Sequence, residues 1–337
     1  MLPTFADPKT DFVFKRIFGA EAHKDVLIAL LNHLLELEGD RRILEVHHLS
    51  IEQHVAVPEL KLSIVDVKCT DASGRRFVVE MQVLKVEGFE KRVVYNASKA
   101  YVMQLRNADE YPTLCDVVGV TICNFKLWPE KNKSGDYKVP MLSRWRMQEQ
   151  HGGEKGLSQV QYTFLELPKY AGGDAPRTLV EKWAYFFREA RNLDVVPPAL
   201  SEGPFREALE VTRKTAFTPE EWELYERAKM AEQDARGALV IAREEGKEEG
   251  HKSGLAEGEA KGEAKGKAEG KAEGKAEGLS EGEIKGRREV LLRLLARAKM
   301  VLTDSDGARI QACSDAGTLD RWIENVLGAS SIRDVLT

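Results

Sequence analysis

Asp66, Glu80 and Gln82 have the types and spacing to do chemistry. An aspartate sits inside Ile64-Val65-Asp66-Val67, thirteen residues follow, and then comes Glu80-Met81-Gln82. Each carboxylate interrupts an apolar run, where a charge is costly without a partner. Lys61 to Gln82 reads as two strands around the turn Asp71-Ala72-Ser73-Gly74-Arg75, the second strand covering Arg76 to Val83. Alternation puts Val78, Glu80 and Gln82 on one face and Phe77, Val79, Met81 and Val83 on the other. If Thr70 pairs with Arg76, Asp66 lies opposite Glu80, with Cβ atoms about 5 Å apart. Carboxylates that close repel unless a proton or a cation sits between them. A hard divalent ion is one solution. The plainer alternative is three solvent-facing side chains on an edge hairpin.

The elements around this hairpin must position it. Residues 3–37 read as helical, with Asp7-Pro8 as cap and first turn, Gly19 as a stop, and a second apolar helix from Lys24 to Leu37. Ile43 to Val57 holds strand-like pieces. Phe89 to Arg106 reads as a helix carrying Arg92, Tyr95, Lys99, Tyr101 and Gln104. Thr113 to Phe125 is a near-continuous apolar run that suits a strand buried on both faces, and Gln159 to Leu167 looks like another strand. The expected fold class is α/β, a mixed sheet flanked by helices. Leu179 to Arg191 and Phe205 to Thr212 are helical, and Thr218-Pro219-Glu220-Glu221 is a capping signal for a long polar helix.

From Gly246 to Gly286 a glycine recurs every fourth residue, eleven times, between Glu, Lys and Ala. Each glycine costs about 1 kcal/mol against alanine in a helix. The column also drifts about 40° per repeat on a helix of 3.6 residues per turn. A flexible or loosely helical spacer is therefore expected ahead of a continuous glycine-lined dimer. A partner helix could still pair its Glu column with the Lys column, so a homo-oligomer through the C-terminal helical region stays open. Beyond Arg287 the pattern is amphipathic and helical again. The expected organisation is a core over 1–170, a helical extension over 171–245, the glycine segment over 246–286 and a small helical domain over 287–337.

A net charge of −5 over 337 residues excludes a globally basic coat protein. Polyanion binding would fall to local patches such as Lys9, Lys15, Arg16 and Lys24, or Lys85, Lys91, Arg92 and Lys99. Four scattered cysteines form no CxxC pair, which argues against zinc and a disulfide framework. With no signal peptide and no apolar run of 18 residues, the expectation is a soluble cytoplasmic protein without a membrane span. His47, His48 and His54 have no carboxylate spaced to make a metal site and read as surface residues.

FADPKTDFVFKRIFG (5–19), KLSIVDVKCTD (61–71), RRFVVEMQ (75–82) and RVVYNASKAYVMQL (92–105) follow in order. Together they resemble the transposase-like branch of the PD-(D/E)XK nucleases, the group that includes the recombination-promoting nucleases. The resemblance covers roughly residues 5–230. It implies a restriction-endonuclease-like core, followed by a long helical arm and a small α-helical C-terminal domain. It also implies a metal-dependent DNA endonuclease linked to recombination or mobile elements. A divalent metal, Mg²⁺ by expectation, would be held by Asp66, Glu80 and a backbone carbonyl near Met81. Gln82 stands where the wider superfamily usually has lysine. Neutral glutamine can orient water but adds no charge, so slower or more tightly regulated cleavage is expected.

Asp11 matches an acidic position on the first helix and Lys15 follows one turn later, although the two also suit a plain i,i+4 surface pair. Arg92, Tyr95 and Gln104 match positions that contact substrate or sheet, although Tyr95 also suits plain packing. The branch often has a second tyrosine where Asn96 stands and a glycine near Asn107-Ala108. Both departures are expected to leave the metal pair untouched. The alternative from another class is a nuclease-fold scaffold assembling through its C-terminal half, with little or no cleavage.

Overall fold

The computed structural model describes residues 4–53, 63–105, 109–153 and 155–337. Lys61, Leu62, His54, Val57, Arg106, Asn107 and Ala108, named above, lie outside the described residues. The chain forms two compact units, Met1–Val240 and Ile241–Thr337.

The first unit opens with helices α1 (Asp11–Phe18) and α2 (Lys24–Leu35). The helix expected from residue 3 begins only at Asp11. Before it the chain is extended: Phe5 bridges Arg213, and the Ala6 amide donates to the Thr212 carbonyl at 2.7 Å. Asp7 turns back to accept from the Lys9 amide at 3.0 Å, so it closes a local turn rather than capping the helix. Gly19 does end α1, its amide donating to the Lys15 carbonyl.

Short strands β1 (Val46–His48), β2 (Glu52–Gln53) and β3 (Ser63–Ile64) lead to β4 (Val67–Asp71) and β5 (Arg76–Gln82). Helix α3 (Phe89–Val102) then carries the chain to β6 (Val117–Cys123). The edge strand β7 (Leu142–Gln148), which no sequence signal announced, and β8 (Gly156–Glu166) complete a sheet of order β1-β4-β5-β6-β8-β7. β4 and β5 are antiparallel, whereas β5, β6 and β8 are mutually parallel. Parallel neighbours need a crossover connection, and α3 supplies it between β5 and β6. The sheet is mixed and flanked by helices, a restriction-endonuclease-like fold.

All seven residues of β6 are buried, as its unbroken apolar run requires of a central strand. Against one face pack α1, α2, α4 (Leu179–Glu189) and α5 (Gly203–Val211), around Phe14, Phe18, Phe77, Val79, Trp183, Phe187 and Phe205. One core thus runs through residue 170. The other face is covered by α3, where Ala97 and Ala100 meet Val65, Val78 and Val117. A Cβ at Gly119 would lie 3.4 Å from Tyr162 and 3.8 Å from Ala97, so the bare backbone there lets α3 lie close.

Helix α6 (Pro219–Arg297) opens with the capping box read from the sequence. Glu221 N donates to Thr218 Oγ1, and Thr218 N to Glu221 Oε2. The glycine segment 246–286, read from sequence as a flexible or loosely helical spacer, lies inside this helix. Early in the repeat, glutamates precede lysines by four residues: Glu248–Lys252 at 2.7 Å, and Glu257–Lys261 and Glu263–Lys267 at 2.5 Å. That orientation favours a helix, and the like-charge columns alone did not reveal it. The second unit has its own core, in which Leu291 and Leu295 meet Ile310 of α7 (Asp304–Ala312), Leu319 and Trp322 of α8 (Ala316–Asn325) and Val335 of α9 (Ile332–Val335).

Candidate active site

The hairpin register is fixed by its turn. Asp71 Oδ1 accepts from the amides of Ser73 and Arg75, both at 3.0 Å, and Gly74 takes a positive φ of 84°. Thr70 then pairs with Arg76 and Val67 with Val79, the register on which the opposition of Asp66 and Glu80 was conditional. The paired run stops at Val67, one residue short of Asp66, and the charge of Glu80 acts on the Asp66 carboxyl. Asp66 itself is a bend between β3 and β4 rather than a strand residue, and its Oδ2 accepts from the Met81 amide at 2.7 Å. Leaving the strand is what lets this carboxylate reach the backbone of β5.

Glu80 is 5% exposed, and its Oε1 accepts from Asn96 Nδ2 at 2.6 Å. Burial raises its pKa against the opposing effects of that hydrogen bond and the charge of Arg92. Half-buried Asp66 is pushed up to about 7, first by burial and then by the negative charges of Glu80 and Asp11. The Met81 hydrogen bond and the charge of Lys15 act the other way. Two neighbouring carboxyls whose ionisation is disfavoured are a sign of a functional site.

Around them, Gln82 Oε1 accepts from Arg92 Nη2, while its Nε2 donates to the Met81 carbonyl at 3.1 Å. Lys15 pairs with Asp11 at 2.7 Å, as the plain reading expected, yet both charges also act on Asp66. Tyr95 is exposed, with the Lys99 ammonium 5.5 Å from its ring centre. Gln104 is not brought to the carboxylates. It makes two hydrogen bonds with the backbone of Cys115, at 2.8 and 3.0 Å, and fixes the entry to β6.

Asn96 is the residue that sequence reasoning missed. Expected to leave the carboxylate pair untouched, it is instead bonded directly to Glu80 and is 3% exposed. Its Oδ1 is buried without a hydrogen-bond partner among the described residues. The signal was available: Val93, Ala97 and Ala100 form the buried stripe of α3, and Asn96 is a polar residue within it. Of the histidines expected at the surface, His47 is exposed and His48 is only half-exposed. His48 bonds Glu21 Oε1 and the Phe18 carbonyl, both at 3.0 Å, and ties β1 to the end of α1.

A family model for the PD-(D/E)XK nuclease family transposases matches residues 8–242. The chain belongs to this family. No curated protein and no solved structure matches it. Members of the wider nuclease group use divalent metals, and the donors here fit one. Asp66 Oδ1 and Glu80 Oε2 make no hydrogen bond among the described residues, and both carboxyls carry charge that burial disfavours. No cluster of three or more His, Cys, Asp or Glu able to hold a metal occurs among the described residues. A Mg²⁺ site commonly takes one or two carboxylates and completes its shell with water and substrate phosphate.

Proposed function

We propose that this family member is a metal-dependent endonuclease that hydrolyses phosphodiester bonds in DNA, in the service of recombination or a mobile element. The reading rests on one observation above all: Asp66, bonded to the Met81 amide beside Glu80, lies close enough for the Glu80 charge to act on it, and burial holds both carboxyls above their ordinary pKa. Asp66 and Glu80 would hold the divalent ion, which when bound would supply Lewis acidity toward the scissile phosphate and a more acidic water.

The remaining roles belong to the chain's own side chains. Asp66 is steered by the Met81 amide, which occupies Oδ2 and leaves Oδ1 without a hydrogen bond among the described residues. Asn96 grips Glu80 Oε1 and leaves Oε2. Gln82 holds the Arg92 guanidinium by Oε1. A guanidinium has five N–H donors, so Arg92 keeps donors for phosphate oxygens. The positive charge that a lysine at 82 would bring is thereby delivered from α3. Lys15 and Asp11 tune the charge on Asp66 from α1.

The test pairs cation binding with cleavage. Mn²⁺ affinity is expected to drop at least tenfold in Asp66→Ala and Glu80→Ala, with cleavage of a labelled duplex lost in both. Undiminished Mn²⁺ affinity in either variant would contradict the assignment.

A further inference from the structure

The first of the two basic patches suggested by the sequence is neutralised internally. Lys9 pairs with Asp7 at 2.8 Å and Lys15 with Asp11 at 2.7 Å, while Arg16 pairs with Glu221 and Lys24 with Glu21. In the second, Lys99 is buried. A different cluster lies beyond the end of β6. There the Asn124 amide donates to the Gln82 carbonyl at 2.8 Å, which ties the start of the loop 124–138 to the end of the strand that carries the site. The carboxyl ends of parallel strands are where open α/β sheets place their ligands.

The loop is a built platform. Phe125 meets Phe89 of α3 edge-on at 5.3 Å, and Trp128 stacks on Trp145 at 4.6 Å. Glu166, fully buried, accepts from the amides of Leu127 and Trp128 at 2.7 and 3.3 Å. Lys131 bridges Tyr137 in a tight hairpin, in which Asn132 Oδ1 accepts from the amides of Ser134 and Asp136 at 3.0 and 2.9 Å.

Three ammonium groups converge on the Tyr137 ring: Lys131 at 4.8 Å, Lys169 at 5.1 Å and Lys126 at 5.2 Å from its centre. Lys169 is neutralised by Glu166 at 2.6 Å. Exposed Lys126 and Lys131 have no carboxylate within ion-pair distance among the described residues, although Glu130 and Asp136 lie in the same loop. The Lys126 ammonium beside the phenol lowers the Tyr137 pKa, so this corner already favours negative charge. Two like charges held against one ring repel until an anion joins them.

We propose that Lys126, Lys131 and the Tyr137 hydroxyl form a phosphate clamp for the DNA backbone, fixing the duplex beside the Asp66/Glu80 site. The proposal rests on the nuclease reading for its ligand, but its test does not depend on cleavage. Phosphate contacts position a duplex without reading its sequence, and each contributes about 0.9 to the slope of log K against log salt.

The experiment measures binding of the full-length protein to a fluorescent 30-base-pair duplex by anisotropy, in chelator, from about 50 to 200 mM salt. Lys126→Gln/Lys131→Gln is expected to shrink the slope by about 2, so that affinity lost across this range falls by about tenfold. The loss should be equal for unrelated sequences, Lys126→Arg/Lys131→Arg should retain the slope, and Tyr137→Phe should bind more weakly. Lys252→Gln/Lys261→Gln, on the exposed face of α6, removes the same charge and is expected to leave the slope unchanged. An unchanged slope in the first variant overturns the clamp. So does an equal fall in the α6 variant, because general charge then suffices. Failure of the nuclease reading would appear separately, as binding with a clamp-dependent slope but no metal-dependent cleavage.

Discussion

Asp66→Asn in the metal-free protein isolates the electrostatics of the site. The Asp66 carboxyl is raised from 3.8 to about 7. A carboxyl whose folded pKa lies above its unfolded value favours folding most while protonated. Its stabilising effect is complete below about pH 4, is lost as pH rises through about 7, and is flat beyond. Three units at about 1.4 kcal/mol each give at most about 4 kcal/mol. Water reaches the half-buried group, and screening brings the figure to about 2–3 kcal/mol. Asparagine keeps an oxygen for the Met81 amide, does not titrate, and lacks this penalty. Denaturation of both proteins in chelator between pH 4.5 and 8 should therefore show the variant gaining about 2–3 kcal/mol on the wild type as pH rises. Adding Mg²⁺ at pH 8 should reverse the order, since only the wild type gains from cation binding. Parallel curves, or Mg²⁺ stabilisation of the variant equal to that of the wild type, would refute the reasoning.

Three further outcomes follow from the same contacts. Asn96→Ala should weaken Mn²⁺ binding by about ten- to a hundredfold, the usual effect of removing a group that holds a ligand, measured by calorimetry on the folded variant; unaltered affinity would deny Asn96 its hold on Glu80. Gln82→Lys should fail to raise the cleavage rate, because it loses the acceptor for Arg92 and sets two positive charges together; a faster enzyme would show that the Gln82–Arg92 pair is no substitute for lysine. In α6, a Cβ at Gly258, Gly262 or Gly266 meets nothing within 4 Å, so alanine at each should add about 1 kcal/mol to helix stability and slow local amide exchange. Exchange as slow in the wild-type segment as in α3 would contradict the weight given to glycine there.

The hairpin was legible because a period of two, a turn rich in Asp, Ser and Gly, and two stranded carboxylates all pointed one way. The register of Thr70 with Arg76, a supposition from sequence, is the one that forms. β6 was legible from its apolar run. β7 was not, since an edge strand reading Leu-Ser-Arg-Trp-Arg-Met-Gln is mostly exposed and has no buried face to impose a pattern. Residues before Asp11 read as helix because Pro suits a first turn, yet pairing with the chain at Thr212 and Arg213 extends them. The roles of Asn96 and Arg92 depend on how α3 lies across the sheet, which is a tertiary fact. So does the meeting of Lys126 and Lys131 at Tyr137, which joins residues on two arms of a loop.

The central claim is that Asp66 and Glu80 together support metal-dependent hydrolysis of DNA. Supercoiled plasmid incubated with the full-length protein, with Mg²⁺ or with chelator, beside Asp66→Ala and Glu80→Ala, tests it most directly. The account predicts nicked or linear product with Mg²⁺ in the wild type only. Metal-dependent nicking that survives both substitutions, or no nicking by the wild type with any of several divalent metals, would contradict it.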